Sequence, residues 1–309
     1  MAIRVIQPGL LTTVQDLGRY RYSHLGISSG GAADRLAMRI ANLLVGNPEN
    51  AATLEMTLTG GTLEFDEGSI VALAGGVCDC RIAGKTAPTW QAVGVSAGEV
   101  LLCGGLKTGA RLYLAVQGGF DTRPIMGSAS TSLAGNFGGI EGRGLRKDDL
   151  LGVRKGSHSR VRTLKPGILD ALYSRGPIRV TRGAQHDWFD AEAFDTLLCS
   201  SYTVSEESNR SGLRLQGEPI PSRVGTQLLT EGVSLGAIQV PHNGQPIILF
   251  VDQQTTGGYP KIANVISADM HRVGQLRPRE PVRFAEVTIP EAVRLLRERE
   301  EWLKHIFQY

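Results

Sequence analysis

The stretch Ile247–Lys261 reads IILFVDQQTTGGYPK and passes directly from apolar to polar residues. Its first five residues, Ile247–Val251, form an unbroken apolar run, which predicts a short strand buried on both faces. From Asp252 onward come carboxylate, amide, hydroxyl, phenol and ammonium groups. Such groups at the mouth of a rigid strand suit a small polar ligand. A glycine-bearing hairpin turn with polar side chains is the alternative interpretation.

Two features near this stretch favour a ligand site. Gly257 and Gly258 lack β-carbons, so their backbone N–H groups can approach an anionic oxygen closely. The cluster Ser208–Leu215 carries Arg210 and Arg214, which would project from the same face of an extended segment. Two guanidinium groups on one face could grip a carboxylate or phosphate, or they could be surface ion-pair partners.

The rest of the chain indicates a mainly β protein with few short helices. Its 309 residues favour two domains. Its 39 Gly and 14 Pro accompany short strands, such as Thr62–Phe65, Val100–Cys103 and Arg111–Val116, at a spacing typical of barrels or sandwiches. Asp34 is expected to cap a helix, and a C-terminal helix is expected over about Thr288–Phe307. A polar, basic segment suggests a boundary between a domain over 1–165 and another over 166–309.

Composition and spacing exclude several classes of function. The formal charge of +3 is spread along the sequence and gives no reason to expect nucleic acid or a membrane as a partner. The six histidines show no metal-ligand spacing, so no metal site is predicted. Gly84-Lys85-Thr86 resembles the end of a phosphate-binding loop, but Asp79 stands where its first glycine belongs, which predicts a hairpin turn.

The same evidence bears on compartment. The four cysteines do not form a disulfide framework at this length, and buried free thiols in a reducing compartment are expected. The N-terminus lacks the apolar core of a signal peptide, and no apolar stretch approaches the ~20 residues of a membrane span. The sequence therefore predicts a cytoplasmic protein.

Seven short motifs then identify a family resemblance. They occur in this order: Gln15–Arg19 (QDLGR), Gly31–Asp34 (GAAD), Ala41–Asn47 (ANLLVGN), Gly127–Thr131 (GSAST), Ser208–Arg210 (SNR), Ile238–Gly244 (IQVPHNG) and Gln254–Pro260 (QTTGGYP). On these motifs the chain resembles the biotin-dependent carboxyltransferase family, subdomains A and B, also called allophanate hydrolase subunit 2 or KipA-like. Within the family it is most similar to the C subunit of bacterial ATP-dependent 5-oxoprolinase.

The resemblance implies two cyclophilin-like β-barrel domains and a function in a heteromeric enzyme. It implies two partners, a KipI-like B subunit and the A subunit of 5-oxoprolinase, and ATP with Mg²⁺ for opening 5-oxo-L-proline to L-glutamate. Whether ATP binds this chain or its partner is left open. Two alternatives remain: biotin-dependent carboxyl transfer to a urea-like amide, and a non-enzymatic KipA-like antagonist of a KipI-like kinase inhibitor.

Under the main interpretation the active site must hold a carboxylate and stabilise charge on a lactam oxygen. Arg210 or Arg214 would hold the carboxylate, Lys261 would face the reacting oxygen, and Asp252 would orient a cation or hold Lys261. The predicted catalytic residues are Lys261, Asp252 and Arg210. The predicted substrate-binding residues are Arg214, Asn209, Gln254, Thr255, Gly257, Gly258 and Tyr259.

Overall fold

The chain divides into two units in the computed structural model, which describes residues 1–155, 161–165, 168, 173, 176–221 and 228–308. The first unit comprises Met1–Arg19, Gly30–Ile168 and Ile306–Tyr309, and the second comprises Tyr20–Ser29 and Leu169–His305. The predicted domain boundary between residues 165 and 166 stays a prediction.

The first unit is built on an antiparallel sheet of nine strands. These strands are β1 (Ala2–Gln7), β2 (Leu11–Gln15), β3 (Thr53–Thr57), β4 (Thr62–Phe65), β5 (Ser69–Ile82), β6 (Lys85–Thr86), β7 (Ala92–Val95), β8 (Val100–Val116) and β9 (Leu150–Gly152). The main path runs β2-β3-β8-β4-β1-β9, and β5 pairs with β6, β7 and β8. A separate ribbon joins β10 (Thr163–Leu164) to β21 (Phe307–Gln308).

Strand alternation places the core of the first unit on one face of this sheet. Ile3 pairs with Phe65 and Val5 pairs with Leu63, and all four side chains are buried. Burying a side chain of this size contributes about 1.5–3 kcal/mol. Helix α1 (Arg35–Leu44) contacts β5 and β8 and begins as predicted, because the Asp34 side chain accepts a hydrogen bond from the Ala37 amide at 2.9 Å.

The second unit contains an eight-stranded sheet and a short ribbon. Its strands are β11 (Ile178–Arg182), β12 (Tyr202–Val204), β13 (Gly212–Gln216), β14 (Glu231–Gly232), β15 (Ala237–Gln239), β16 (Ile247–Leu249), β17 (Thr256–Gly257), β18 (Lys261–Val265), β19 (Pro281–Val282) and β20 (Phe284–Glu286). The sheet order is β19-β12-β13-β16-β15-β18-β11-β20, with β11 and β20 parallel, and β14 pairs with β17.

The second unit's helices are short apart from the last one. They are α2 (Ala191–Cys199), α3 (Met270–Gly274) and α4 (Ile289–His305), with 3-10 turns at Ser23–Leu25, His186–Trp188 and Ser267–Asp269. Helix α4 is the predicted C-terminal helix, and Leu303 is buried on it. Val293 on the same helix is 43% exposed.

The predicted fold class is confirmed: the protein is mainly β, with one half-barrel sheet, one nearly closed barrel sheet and a C-terminal helix. Gly84-Lys85-Thr86 lies in a hairpin turn as expected, because Ile82 pairs with Lys85 and both intervening residues have positive φ. Among the described residues, no helix combines the length and apolar character that crossing a membrane requires. The four cysteines are free, but Cys199 is exposed and so corrects the expectation of buried thiols.

Candidate functional site

A cavity of about 510 Å³ lies within the second unit, against strands β13, β15 and β16. The cavity is lined mainly by polar side chains: Ser205, Glu207, Asn209, Ser211, Gly212, Arg214, Leu215, Gln216, Gln239, Pro241, Asn243, Gln245, Pro246, Ile247, Leu249, Gln254 and Tyr259. Arg214 and Glu207 are the only charged residues in this lining. The cavity is therefore rich in carboxamide groups and carries little net charge.

The register of three neighbouring strands explains why polar groups meet here. On β16, Ile247 pairs with Arg214 of β13 on one side and with Gln239 of β15 on the other. Directly paired residues project from the same face of a sheet, so these three side chains form one row, with Ile247 in the middle. The adjacent row, centred on the buried Ile248, projects to the opposite face.

Four of the predicted site residues line this cavity: Asn209, Arg214, Gln254 and Tyr259. The Arg214 side chain is 55% exposed, and its Nε lies 3.9 Å from a carboxylate oxygen of Glu207. Asn209 precedes β13 and turns the chain into it, because its Oδ1 accepts a hydrogen bond from the Ser211 amide at 2.8 Å. These four residues come from two segments, Ser208–Leu215 and Ile247–Lys261, that the sheet brings together.

Arg210 and Asp252 do not line the cavity. They form a buried ion pair, in which Arg210 Nε lies 2.7 Å from Asp252 Oδ2 and a second guanidinium nitrogen lies 3.3 Å from Oδ1. The side chains are 6% and 9% exposed. The backbones are also joined, since the Asp252 amide donates to the Arg210 carbonyl at 2.9 Å. The pair therefore fixes the start of the polar stretch to the residues before β13.

Lys261 also lies outside the cavity lining, in a second ion pair. Its Nζ lies 2.5 Å from Glu231 Oε1, and its side chain is 6% exposed. Hydrogen bonds from Lys261 and then Gln185 lower the pKa of the Glu231 carboxyl below its usual value. The suggestion that Asp252 holds Lys261 is corrected, because Glu231 holds Lys261 and Asp252 holds Arg210.

The remaining predicted residues, Thr255, Gly257 and Gly258, border the cavity without being part of its lining. The Thr255 carbonyl accepts a hydrogen bond from the Val233 amide at 3.1 Å, and Gly257 pairs with Glu231 in the β14–β17 ribbon. A β-carbon on Gly257 would lie 2.7 Å from Gln239 Nε2 and 3.5 Å from Gln254 Nε2. The absence of a side chain at Gly257 thus leaves room for the Gln239 carboxamide.

Sequence reasoning missed Gln239 as a site residue. Gln239 is 1% exposed, lines the cavity, and its Nε2 makes no hydrogen bond within the described part of the chain. A signal was present, because Gln239 interrupts the apolar residues Ala237, Ile238 and Val240 within one of the seven motifs. A buried amide between apolar neighbours needs a hydrogen-bond partner, and a ligand can supply one.

Two further motifs, Gln15–Arg19 and Gly127–Thr131, are joined in the first unit by a buried hydrogen-bond network. The Asp16 carboxylate accepts hydrogen bonds from the Ser128 hydroxyl at 2.6 Å, the Ser130 hydroxyl at 2.5 Å and the Ala129 amide at 2.6 Å. It also accepts from the Gly18 amide at 2.7 Å. These contacts join the motif that contains Asp16 to the motif Gly127–Thr131, so both motifs serve to hold this unit together. Among the described residues, no group of His, Cys, Asp and Glu side chains is arranged to hold a metal ion.

The chain is similar to several known proteins, among them two bacterial relatives and one protein of solved structure. The chain is 39% identical to the C subunit of 5-oxoprolinase from Escherichia coli (strain K12), over 98% of this chain and 97% of the relative. It is 36% identical to the C subunit of 5-oxoprolinase from Haemophilus influenzae, over 95% of this chain and 94% of the relative. The crystal structure of the K. lactis urea amidolyase superposes with a TM-score of 0.92 at 28% identity, over 99% of this chain and 20% of that one.

The family comparison covers both units. Residues 25–286 match the family described as "Carboxyltransferase domain, subdomain A and B". This range includes the row of Arg214, Ile247 and Gln239 and the Arg210–Asp252 and Lys261–Glu231 ion pairs. The resemblance inferred from the seven motifs is confirmed by this match and by the two bacterial relatives. The chain belongs to the carboxyltransferase domain family, subdomains A and B.

Proposed function

We propose that this chain is one component of an ATP-dependent 5-oxoprolinase and binds 5-oxo-L-proline in the cavity of its second unit. The enzyme opens this lactam to L-glutamate and is active only with two partners, a KipI-like B subunit and the A subunit of 5-oxoprolinase. The observation that carries the proposal is the row in which Arg214 stands on one side of Ile247 and a carboxamide stands on the other. One end of this row suits a carboxylate and the other suits an amide.

Arg214 is the residue that binds the substrate carboxylate. Its contact with Glu207 is long, at 3.9 Å, and both side chains are largely exposed. An exposed pair of this kind contributes little to stability, so exchanging Glu207 for a substrate carboxylate costs little. A guanidinium group can then hold both carboxylate oxygens in a bidentate arrangement. Arg210 is not the carboxylate ligand in this proposal, because Asp252 already occupies it.

The Arg210–Asp252 and Lys261–Glu231 ion pairs position the site and do not contact the substrate. The Arg210–Asp252 pair anchors the beginning of the polar stretch, and the Lys261–Glu231 pair anchors its end. Gln254 and Tyr259 lie between these anchors and face the cavity. Holding the stretch at both ends orients these two side chains before the substrate arrives, which reduces the ordering that binding requires. The predicted catalytic residues Arg210, Asp252 and Lys261 thus become positioning residues.

The cavity does not fit a nucleoside triphosphate. Its charged lining is one arginine and one glutamate, whereas a triphosphate needs several cations or a cradle of backbone N–H groups. The described residues also offer no cluster of ligands for Mg²⁺. In this proposal ATP and its Mg²⁺ bind outside this cavity, and ATP would supply the phosphoryl group that activates the lactam. No step at this cavity is assigned to the nucleotide.

The test uses the complex assembled from the chain and its two partners. Arg214→Gln should raise the KM for 5-oxoproline at least tenfold in an assay of glutamate release, because a charge-assisted contact is lost. The matched control is Arg279→Gln, which removes an exposed arginine paired with Glu206 outside the cavity and should leave KM unchanged. An equal KM in the wild type and Arg214→Gln would refute the assignment, and a wild-type complex without glutamate release would refute the function.

A second candidate function is carboxyl transfer from biotin to a urea-like amide. The observation in its favour is the TM-score of 0.92 to the urea amidolyase structure, together with a cavity rich in carboxamides that suit a neutral amide. Biotin would have to be carried by another protein. Urea-dependent consumption of carboxybiotin by the purified complex, with no glutamate release from 5-oxoproline, would favour this candidate over the first.

A further inference from the structure

Gln239 is almost completely buried, and its side-chain amide donor makes no hydrogen bond among the described residues. It is the last residue of β15, only 1% exposed, and its Nε2 finds no hydrogen-bond acceptor among the described residues. Leaving a buried N–H donor without a partner lowers stability, so a protein that keeps one calls for an explanation. Because Gln239 lines the cavity, a bound ligand can supply the acceptor that the protein lacks.

The space beside this donor is kept open by Gly257. A β-carbon on residue 257 would come within 2.7 Å of Gln239 Nε2, a distance at which one of the two groups must move. The same point lies 3.5 Å from Gln254 Nε2. The φ angle of Gly257 is not positive, so the backbone conformation does not require glycine. A side chain at this position would collide with the Gln239 carboxamide and would crowd Val233, whose Cγ1 lies 3.2 Å from the same point.

The distance to Arg214 fits a compact ligand with two polar ends. Arg214 and Gln239 both pair with Ile247, so their backbones lie two strand spacings apart, which is roughly 10 Å. Side chains that lean toward each other from this separation leave room for one small ring between them. A ring held there would lie over the apolar Ile247, with Arg214 at one end of the row and Gln239 at the other.

We propose that Gln239 is a substrate-binding residue that donates a hydrogen bond from Nε2 to the uncharged ring carbonyl of the ligand whose carboxylate Arg214 holds. This inference rests on the proposed function and adds the group that recognises the amide. A neutral donor selects a carbonyl oxygen over a second carboxylate, because a carboxylate buried without a counter-ion pays a large desolvation penalty. The ligand class is therefore a cyclic amide or ketone that bears a single carboxylate.

The central experiment compares two ligands in the reconstituted complex. For Gln239→Met, the KM for 5-oxoproline should rise about tenfold, since one hydrogen bond is lost. Cyclopentanecarboxylate has the same carboxylate but no ring carbonyl, so its inhibition constant should be unchanged. Gly257→Ala should raise the KM for 5-oxoproline as well, because the new methyl group fills the space beside Nε2. An unchanged KM in Gln239→Met, or an equal rise for both ligands, overturns the proposal.

The melting temperature of the full chain without ligand distinguishes a substrate-binding role of Gln239 from a purely structural one, because only a structural role predicts that Gln239→Met is less stable. Gln239→Met should not lower the melting temperature, because the substitution removes a donor that has no partner among the described residues. The matched control is Gln117→Met in the first unit, where Nε2 donates to the Val45 carbonyl at 3.2 Å and its loss should lower the melting temperature. A fall in Gln239→Met at least as large as in the control overturns the proposal.

Isothermal titration calorimetry, which measures binding of 5-oxoproline to the full chain, separates this inference from the proposed function. If the wild-type complex releases no glutamate but the chain binds 5-oxoproline, and Gln239→Met weakens that binding, the function fails and the inference stands. If the wild type is active and Gln239→Met binds 5-oxoproline as tightly, the function stands and the inference fails. If the wild type neither turns over nor binds 5-oxoproline, both are overturned.

Discussion

Separating the Arg210–Asp252 ion pair tests whether these residues position the site or act on the substrate. Arg210→Met and Asp252→Leu each leave one charge buried without its partner. The two side chains are 6% and 9% exposed, so an effective dielectric of about 20 applies, and two unit charges about 4 Å apart then interact by about 4 kcal/mol. Each single variant should therefore lose about 3–5 kcal/mol of unfolding free energy, the usual cost of breaking a buried pair.

The double variant provides the sharper test. Replacing both charges by apolar side chains of similar size leaves no charge buried without a partner, so it should cost less than either single change. We expect the two substitutions to couple by at least about 2 kcal/mol in a double-mutant cycle. The control is the exposed ion pair of Arg279 and Glu206, in which a guanidinium nitrogen lies 2.6 Å from Glu206 Oε1. Arg279→Met should cost less than about 1 kcal/mol.

Amide hydrogen exchange, resolved peptide by peptide, suits this experiment. It reports on each unit separately, and a chain with two units need not unfold in one transition. The exchange of peptides covering Ile247–Val251 reports on the second unit, and peptides from β8 serve as the internal reference. Arg210→Met should accelerate exchange in the first set and leave the second unchanged. Single variants that cost under about 1 kcal/mol, or effects that simply add, would refute the reasoning.

Three other perturbations have defined outcomes. The Lys261 hydrogen bond lowers the Glu231 pKa in the folded state, so its stabilisation is complete above the ordinary glutamate pKa of about 4.3 and is lost as pH falls through the lowered value. Glu231→Gln should therefore flatten the melting temperature between about pH 5 and pH 3, and an unchanged slope would contradict this. Asp16→Asn should cost about 3 kcal/mol in chemical denaturation, because an amide nitrogen would face donors such as the Ser130 hydroxyl; a cost under about 1 kcal/mol would rule that out. Gly138→Ala should lower the free energy of unfolding by about 2 kcal/mol or more. Gly138 has φ of +73°, and an added β-carbon would lie 2.2 Å from the Ser130 carbonyl oxygen. Wild-type stability in this variant would show that the loop can shift.

Local sequence signals were sufficient for individual elements. Asp34 predicted the start of helix α1, and the run Thr62–Phe65 is β4 to the residue. Where several local signals compete, tertiary pairing decided the outcome. The separate strands expected at Val100–Cys103 and Arg111–Val116 are parts of one strand, β8, because β5 pairs along most of its length across the intervening glycines.

The site could be predicted only in part for a similar reason. The sequence marked the correct segments, and four of its residues line the cavity. It could not show which charges neutralise each other, because the pairing of Arg210 with Asp252 spans 42 positions and depends on the sheet order. Gln239 was missed because a lone amide in a short strand resembles an ordinary strand residue until its missing partner and its position opposite Arg214 are known.

The ribbon between β10 and β21 has a consequence for synthesis of the chain on the ribosome. Phe307 and Gln308 complete the first unit by pairing with Thr163 and Leu164, yet they are translated only after the entire second unit. About 140 residues at 5–20 residues per second amount to roughly 7–30 seconds during which the nascent first unit lacks this ribbon. Throughout that interval the backbone edge of Thr163 and Leu164 lacks its later strand partner and is open to chaperones and to neighbouring nascent chains.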